Sequence, residues 1–248
     1  MSKSAPRSSG SSSTHSRGRK VEAPRKTSLM MFYWAIGIVA VVGVAILITY
    51  VTGATKTSVA GTAGSSGQQV PVGVTSEGFH FKGNPSAPVT VVEYADFECP
   101  ACAQVAQPPY STQLLEYIEE GKVRLIFHEY PLSYHTSAPA ASIAARCAGE
   151  QDAFWEMHDL LFQQRTVWIN DPSPRNFAGL ASQGGVERGA FIECMQSGKY
   201  DQAIADAAVA SREAGVTGTP NFIVNGSDPL DYSELVPAIE AALASQGE

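Results

Sequence analysis

Hydrophobic and polar positions divide the chain into segments with different patterns. Residues 29–51 are mostly apolar, and no charged residue lies between Lys26 and Lys56. Residues 1–28 and 52–77 consist mainly of small and polar residues that cannot bury a core. An apolar run of 23 residues is long enough for a membrane-spanning helix, which needs about 20. The pattern therefore predicts a disordered basic tail, a transmembrane helix and a flexible linker, in that order.

Residues 78–248 instead alternate between short apolar runs and helical patterns. The pattern predicts strands at 89–94, 123–130 and 221–224, helices at about 105–120 and 233–244, and a helical insertion over about 135–214. The first helix is expected to break or kink at Pro108-Pro109. Ser233 is the predicted N-cap of the last helix, with Pro237 near its first turn. This order predicts an α/β fold in which the helical insertion separates two halves of one sheet.

Charge is distributed unevenly along the chain. The first 28 residues carry a net charge of +6, and the remainder therefore carries −13. By the positive-inside rule, the tail stays in the cytoplasm and the folded part is exported to the periplasm or cell surface. A cleaved signal peptide is the alternative, but its apolar region is usually only about 7–15 residues long. An acidic folded part also argues against a nucleic-acid partner.

Two of the four cysteines form the motif Cys99-Pro100-Ala101-Cys102, which follows the strand at 89–94 and opens a helix. Near a helix N-terminus the first cysteine is stabilised as a thiolate, and the second, more enclosed cysteine can resolve a mixed disulfide. A zinc site would need two further ligands, usually a second close pair. Cys147 and Cys194 are too far apart in sequence to form one, so no metal site is predicted.

Three sequence runs occur in an order that resembles a known family. The runs VVEYADFECPAC, GKVRLIFHEYPL and GVTGTPNFIVNG, within about residues 78–246, resemble DsbA-like thioredoxin-fold thiol:disulfide oxidoreductases. The resemblance implies an enzyme that forms, reduces or isomerises disulfides in exported proteins, with oxidation favoured. It implies no cofactor beyond the redox-active Cys99–Cys102 pair. It also implies a membrane redox partner, either a quinone-linked oxidase or a supplier of reductant.

The resemblance assigns roles to residues outside the cysteine motif. Pro220 is expected to be cis and to face the motif, and the backbone of Thr219 is expected to pair with the substrate chain. Glu93 lies six residues before Cys99, where the family has a buried acid. A buried carboxyl has a raised pKa and could take the proton of Cys102. A glutamate that reaches solvent from the end of the strand remains the alternative.

The residues around the motif affect the expected reduction potential. Strongly oxidising members of the family carry a histidine beside the second cysteine, where this chain has Ala101 after Pro100. Asp96 and Glu98 would disfavour the Cys99 thiolate if they lie near it in space. We therefore expect a potential between those of thioredoxin and DsbA, within about −270 to −120 mV.

The second cysteine pair, Cys147 and Cys194, lies in the helical insertion. In an oxidising exported compartment, two remaining cysteines tend to pair, so a structural disulfide is expected. Two free buried cysteines are the alternative. The isolated histidines His128, His135 and His158 are assigned no role.

Two further expectations concern assembly and function. The linker at 52–77 is too short and polar to be a dimerisation domain, so a monomer is expected. The competing function is a non-catalytic anchored binding module with the same fold, in which Cys99 and Cys102 form a structural disulfide. That module would not need a cysteine at the helix start or a proline opposite it.

Overall fold

The computed structural model describes residues 70–246. The predicted tail at 1–28, the predicted transmembrane helix at 29–51 and most of the predicted linker at 52–77 lie outside these residues. Among residues 70–246, no helix combines the length and the apolar character needed to cross a bilayer.

One five-stranded mixed sheet forms the centre of the described chain. Its strands are β1 (Val72–Val74), β2 (His80–Lys82), β3 (Val89–Ala95), β4 (Val123–Glu129) and β5 (Asn221–Val224). The strand order is β1-β2-β4-β3-β5. Strands β3 and β4 are parallel, and the other neighbouring pairs are antiparallel.

Helices cover the sheet and form the insertion. They are α1 (Pro100–Val105), α2 (Thr112–Glu119), α3 (Ala138–Gly149), α4 (Phe154–Gln163), α5 (Arg165–Trp168), α6 (Pro174–Ala181), α7 (Arg188–Gln196), α8 (Asp201–Glu213) and α9 (Tyr232–Ala244). Helices α1 and α2 connect β3 to β4, and α3 to α8 lie between β4 and β5. The predicted α/β fold, with a helical insertion between two halves of one sheet, is confirmed.

The central strands are those whose sequences are richest in apolar and β-branched residues. Strand β3 pairs with β4 through Val91 and Leu125 and with β5 through Val91 and Val224. These three side chains are at most 5% exposed. A strand buried on both faces needs such a continuous apolar run, which is why β3, β4 and β5 were predictable.

Strands β1 and β2 were not predicted, and β1 lies within residues assigned to the linker. Each strand has only three residues, which is too short for a recognisable alternating pattern. Their pairing is closely packed, because a Cβ on Gly73 would lie 2.7 Å from the Phe81 ring. The folded unit therefore begins before residue 78, the boundary predicted from composition.

The helix boundaries differ from the prediction at two places. The predicted helix at 105–120 is broken at Pro108-Pro109, as expected, but its helical part is only α2, and Val105 belongs to the end of α1. Helix α9 begins at Tyr232 rather than after Ser233, and Pro237 lies inside the helix. The N-cap is Asp231, which forms a capping box with Glu234 and so satisfies two backbone N–H groups at the helix start.

A disulfide and a buried ion pair fix the helical insertion in place. Cys147 in α3 and Cys194 in α7 are joined, with Cα atoms 5.8 Å apart. Beside this bridge, Arg146 donates two hydrogen bonds of 2.7 and 2.8 Å to the buried carboxylate of Glu129 at the end of β4. The first contact links two helices of the insertion, and the second links the insertion to the sheet.

Removing the disulfide should destabilise the protein without unfolding it. We expect Cys147→Ala/Cys194→Ala to lower the free energy of unfolding by about 2–4 kcal/mol, because the open chain has more conformational freedom when unfolded. Urea unfolding of the full chain, followed by fluorescence, measures this difference. Alkylation of the unreduced wild type should leave both cysteines unlabelled, and their labelling would contradict the bridge.

Candidate active site

The cysteine motif lies where β3 leaves the sheet and α1 begins. Cys99 is the N-cap residue of α1 and Pro100 is the first helical residue. Both cysteines are buried, but Cys99 keeps 6% of its surface exposed, whereas Cys102 has none. Both cysteines are free thiols in this structure. Of the two sulfurs, the structure therefore leaves Cys99 closer to solvent and Cys102 enclosed.

The turn before β5 lies against the motif. The Thr219–Pro220 peptide bond is cis, as the family resemblance implied. The Cys99 thiol donates a hydrogen bond of 3.4 Å to the carbonyl oxygen of Thr219, which is 120 residues away in sequence. Pro220 has no N–H group, so this position leaves a carbonyl acceptor beside the sulfur and no competing donor.

The two sulfurs have opposite electrostatic environments. A hydrogen bond from the Cys102 thiol lowers the pKa of Cys99 to about 5, with further help from the backbone N–H groups of Cys102 and Ala101. Burial raises the pKa of Cys102, and the neighbouring Cys99 sulfur raises it further. Cys99 is therefore a thiolate at neutral pH, and Cys102 remains a thiol until a base removes its proton.

Glu93 lies in β3 with its side chain buried. Burial raises the pKa of Glu93 to about 7, and the positive charge of Lys82 opposes that rise. Its Oε1 atom has no hydrogen-bond partner among the described residues. The glutamate thus occupies the buried position that the resemblance implied, and it does not reach solvent from the strand end. A carboxyl with a pKa near neutrality can both accept and donate a proton at physiological pH.

Asp96 and Glu98 do not act on the Cys99 thiolate in the way the sequence led us to expect. The Asp96 carboxylate accepts hydrogen bonds from the backbone N–H of Glu98 and from Nδ1 of His135, at 2.7 and 2.8 Å. The Glu98 carboxylate accepts from the backbone N–H of Ser137 at 2.7 Å. Both carboxylates are engaged by the loop that leads into α3, and the Cys99 pKa is instead set by Cys102, Ala101 and burial.

Three residues near the site were not singled out by the sequence for any role. Arg165 in α5 donates a hydrogen bond of 3.1 Å to the carbonyl oxygen of Glu98, the residue before Cys99. Lys82 and His158 line a cavity of about 260 Å³ together with Glu93. No local motif marks these positions, because each reaches the site through a tertiary contact. In residues 70–246, no three His, Cys, Asp or Glu side chains are grouped so as to hold a metal ion.

Comparison with known sequences identifies related proteins. The family model described as thioredoxin matches residues 75–241. Over 170 residues, 67% of this chain, the sequence is 38% identical to the Na(+)/H(+) antiporter NhaA 3 of Salinispora tropica, covering 25% of that protein. It is 29% identical over 170 residues to a putative protein-disulfide oxidoreductase of Rickettsia felis, covering 67% of this chain and 60% of that protein. The chain therefore spans between a quarter and three fifths of the length of these two relatives.

Solved structures share the fold. The structure of oxidised BdbD from Bacillus subtilis superposes with a TM-score of 0.58 at 23% identity, covering 66% of this chain and 92% of that one. At this level of identity the similarity establishes the architecture alone. The architecture agrees with the thioredoxin fold plus helical insertion that the sequence predicted.

The hydrogen bond from Cys102 can be tested through the acidity of Cys99. We expect the thiolate absorbance of Cys99 at 240 nm to titrate with a midpoint near pH 5. Cys102→Ala should raise that midpoint, because the neighbouring donor is lost. Cys102→Ser is the matched control, since its hydroxyl retains a donor and should keep the pKa low. An identical midpoint in the alanine variant would show that this hydrogen bond does not set the acidity.

Proposed function

Because the chain belongs to the thioredoxin family over residues 75–241, we propose that it exchanges disulfides with cysteine-containing exported proteins through Cys99 and Cys102. The observation that carries this proposal is the pairing of an acidic Cys99, which keeps a small exposed area, with a completely buried Cys102 beside a cis-proline turn. Proteins named as putative protein-disulfide oxidoreductases are among its relatives. The DsbA-like resemblance predicted from the sequence is confirmed.

The oxidising reaction begins with Cys99 and Cys102 joined as a disulfide. A substrate thiolate attacks the Cys99 sulfur, the Cys99–Cys102 bond breaks, and Cys102 leaves with the electron pair and takes a proton from Glu93. A second substrate thiolate then attacks the substrate sulfur of the mixed disulfide and releases Cys99 as a thiolate. Two electrons move from the substrate to the cysteine pair, and the substrate gains one disulfide.

The acidity of Cys99 favours this direction. A thiolate that is stable at neutral pH is a good leaving group, and its stability favours the reduced form of the enzyme. The Cys99 pKa of about 5 lies between the values of roughly 7 for thioredoxin and 3.5 for DsbA. This supports a potential between theirs, and hence an oxidase milder than DsbA.

Thr219 and Pro220 are proposed to hold the substrate chain. In the free thiol form, the Thr219 carbonyl accepts a hydrogen bond from the Cys99 sulfur. As a thiolate or within a mixed disulfide, Cys99 has no proton to donate, so the carbonyl is then available to a backbone N–H of the substrate. Such a main-chain contact would position a substrate cysteine with little dependence on its side-chain neighbours.

We further propose that residues 29–51 anchor a monomeric protein in the membrane, with the thioredoxin-fold domain outside the cytoplasm. The apolar run and the basic residues before it support this placement. A membrane redox partner would then reset the Cys99–Cys102 pair after each turnover. It would be a quinone-linked oxidase for the oxidising direction or a supplier of reductant for the opposite one.

Catalysis is tested with the full chain in detergent. We expect it to accelerate both insulin reduction by dithiothreitol and oxidative refolding of a reduced, disulfide-containing substrate, whereas Cys99→Ser should show only the uncatalysed rate. Cys102→Ser should accumulate a mixed disulfide with substrate, because resolution is blocked. Cys147→Ala/Cys194→Ala is the control for general loss of cysteines and should stay active. A wild type no faster than Cys99→Ser would favour a non-catalytic binding module with a structural Cys99–Cys102 bridge.

The reduction potential of the Cys99–Cys102 pair can be measured directly. Equilibration of the full chain with glutathione buffers, followed by alkylation and mass spectrometry, should give a Cys99–Cys102 potential between about −270 and −120 mV. Replacing Ala101 with histidine should move the potential to a less negative value, because a nearby positive charge stabilises the thiolate. A wild-type value outside the window would contradict the proposed mild oxidase.

A further inference from the structure

A cavity beside Glu93 reaches from the central sheet to the helical insertion. The cavity measures about 260 Å³ and is lined by Lys82 of β2, Glu93 of β3 and both His158 and Asp159 of α4. This volume is sufficient for several water molecules, since each occupies about 30 Å³ in the liquid. The insertion therefore forms a wall of the space that the buried carboxyl faces.

Three residues that line this cavity each have a buried polar atom with no hydrogen-bond partner among the described residues. The atoms are Oε1 of Glu93, Nε2 of His158 and Oγ of Ser111. An unpartnered buried polar atom is costly, and native proteins usually retain one only where water or chemistry uses it. Because Glu93 and His158 line the same cavity, water in that cavity would give the two side chains a shared hydrogen-bond partner.

The hydrogen bond made by Nδ1 of His158 determines which ring nitrogen carries the proton. His158 Nδ1 lies 2.8 Å from Oδ1 of Asp159, and because a carboxylate only accepts, Nδ1 carries the proton. Nε2 therefore presents a lone pair. The side chain of His158 is 7% exposed, whereas that of Asp159 is 51% exposed. The two residues thus connect a buried proton acceptor to a carboxylate in contact with solvent.

We propose that His158 and Asp159 relay the proton between Glu93 and solvent during the reaction of Cys102, a proposal that rests on the exchange function above. When Cys102 enters the disulfide, Glu93 receives the thiol proton and passes it through cavity water to Nε2 of His158. The proton on Nδ1 then passes to Asp159 and from there to water. On uptake, when Cys102 leaves the disulfide, the same steps run in reverse. Each oxidative cycle includes one proton uptake and one proton release by Glu93. The His158 ring therefore returns to the tautomer in which Nδ1 carries the proton.

The charged and titratable groups around the cavity fit this role. Besides Glu93, His158 and Asp159, they are Lys82 of β2, Tyr110 of the loop between α1 and α2, and Tyr232 of α9. The Lys82 ammonium lies 4.1 Å from the centroid of the Trp155 ring. Burial lowers the pKa of His158 and outweighs the hydrogen bond and charge of Asp159, which raise it, while the charge of Lys82 lowers it further. His158 is therefore neutral at rest and holds a second proton only transiently, as a relay requires.

The reaction of the reduced full chain with 5,5′-dithiobis(2-nitrobenzoate) separates the two cysteine steps. Attack by Cys99 releases one coloured thiolate, and attack by Cys102 on the mixed disulfide releases the second. We expect His158→Phe, which retains an aromatic ring among Phe97, Phe127 and Phe162, to slow the second release about tenfold or more. The first release should change less than twofold, and the pH profile of the second should shift. Asp159→Asn should slow the second release in the same way.

Chemical rescue distinguishes a relay from a packing role. In His158→Ala, added imidazole should restore the second release, whereas it should not accelerate the wild type. His128→Phe is the matched control, because it also replaces a buried histidine but lies outside the cavity, and both releases should keep their wild-type rates. An unchanged second release in His158→Phe, equal slowing of both releases, or no rescue by imidazole would overturn the relay. Absence of the first release from the wild type would instead show failure of the exchange function.

Discussion

The antiparallel pairing of β3 with β5 is the constraint on which the site depends. Tyr94, near the end of β3, pairs with Asn221 at the start of β5. The chain leaves β3 toward Cys99 and enters β5 from Thr219, so this register places both loops at the same edge of the sheet. The 3.4 Å contact between Cys99 and Thr219 follows from it. A shift of one residue in this pairing would move the carbonyl away from the sulfur and turn the neighbouring side chains to the other face.

Burial then gives each group at that edge a different protonation state. Cys102 and Glu93 lie in the interior, where the charged form of each is disfavoured, whereas Cys99 has hydrogen-bond donors that favour its thiolate. The same fold therefore holds a nucleophile that is ready at neutral pH and a second thiol that needs a base. Because the Glu93 carboxyl titrates near neutrality, it suits the transfer of a proton in both directions of exchange.

The helical insertion contributes to the site as well as to the core. The Arg146–Glu129 ion pair fixes it to the sheet, and the Cys147–Cys194 bridge fixes its helices to each other. From this position Arg165 donates a hydrogen bond to the carbonyl oxygen of the residue before Cys99, and His158 lines the same cavity as Glu93. The insertion therefore contacts both the residue before Cys99 and the cavity that Glu93 lines.

The sequence by itself determined the central strands, the break at Pro108-Pro109 and the cysteine motif, because each is a local pattern of apolar residues, proline or cysteine. The family resemblance added Glu93 and Pro220. Only the tertiary structure decided where the carboxylates of Asp96 and Glu98 point, and that strands as short as β1 and β2 form at all. It also decided that residues from β2 and α4 share one cavity. The physical reason is that local periodicity reports which side chains are buried, whereas their partners are set by contacts between segments far apart in the chain.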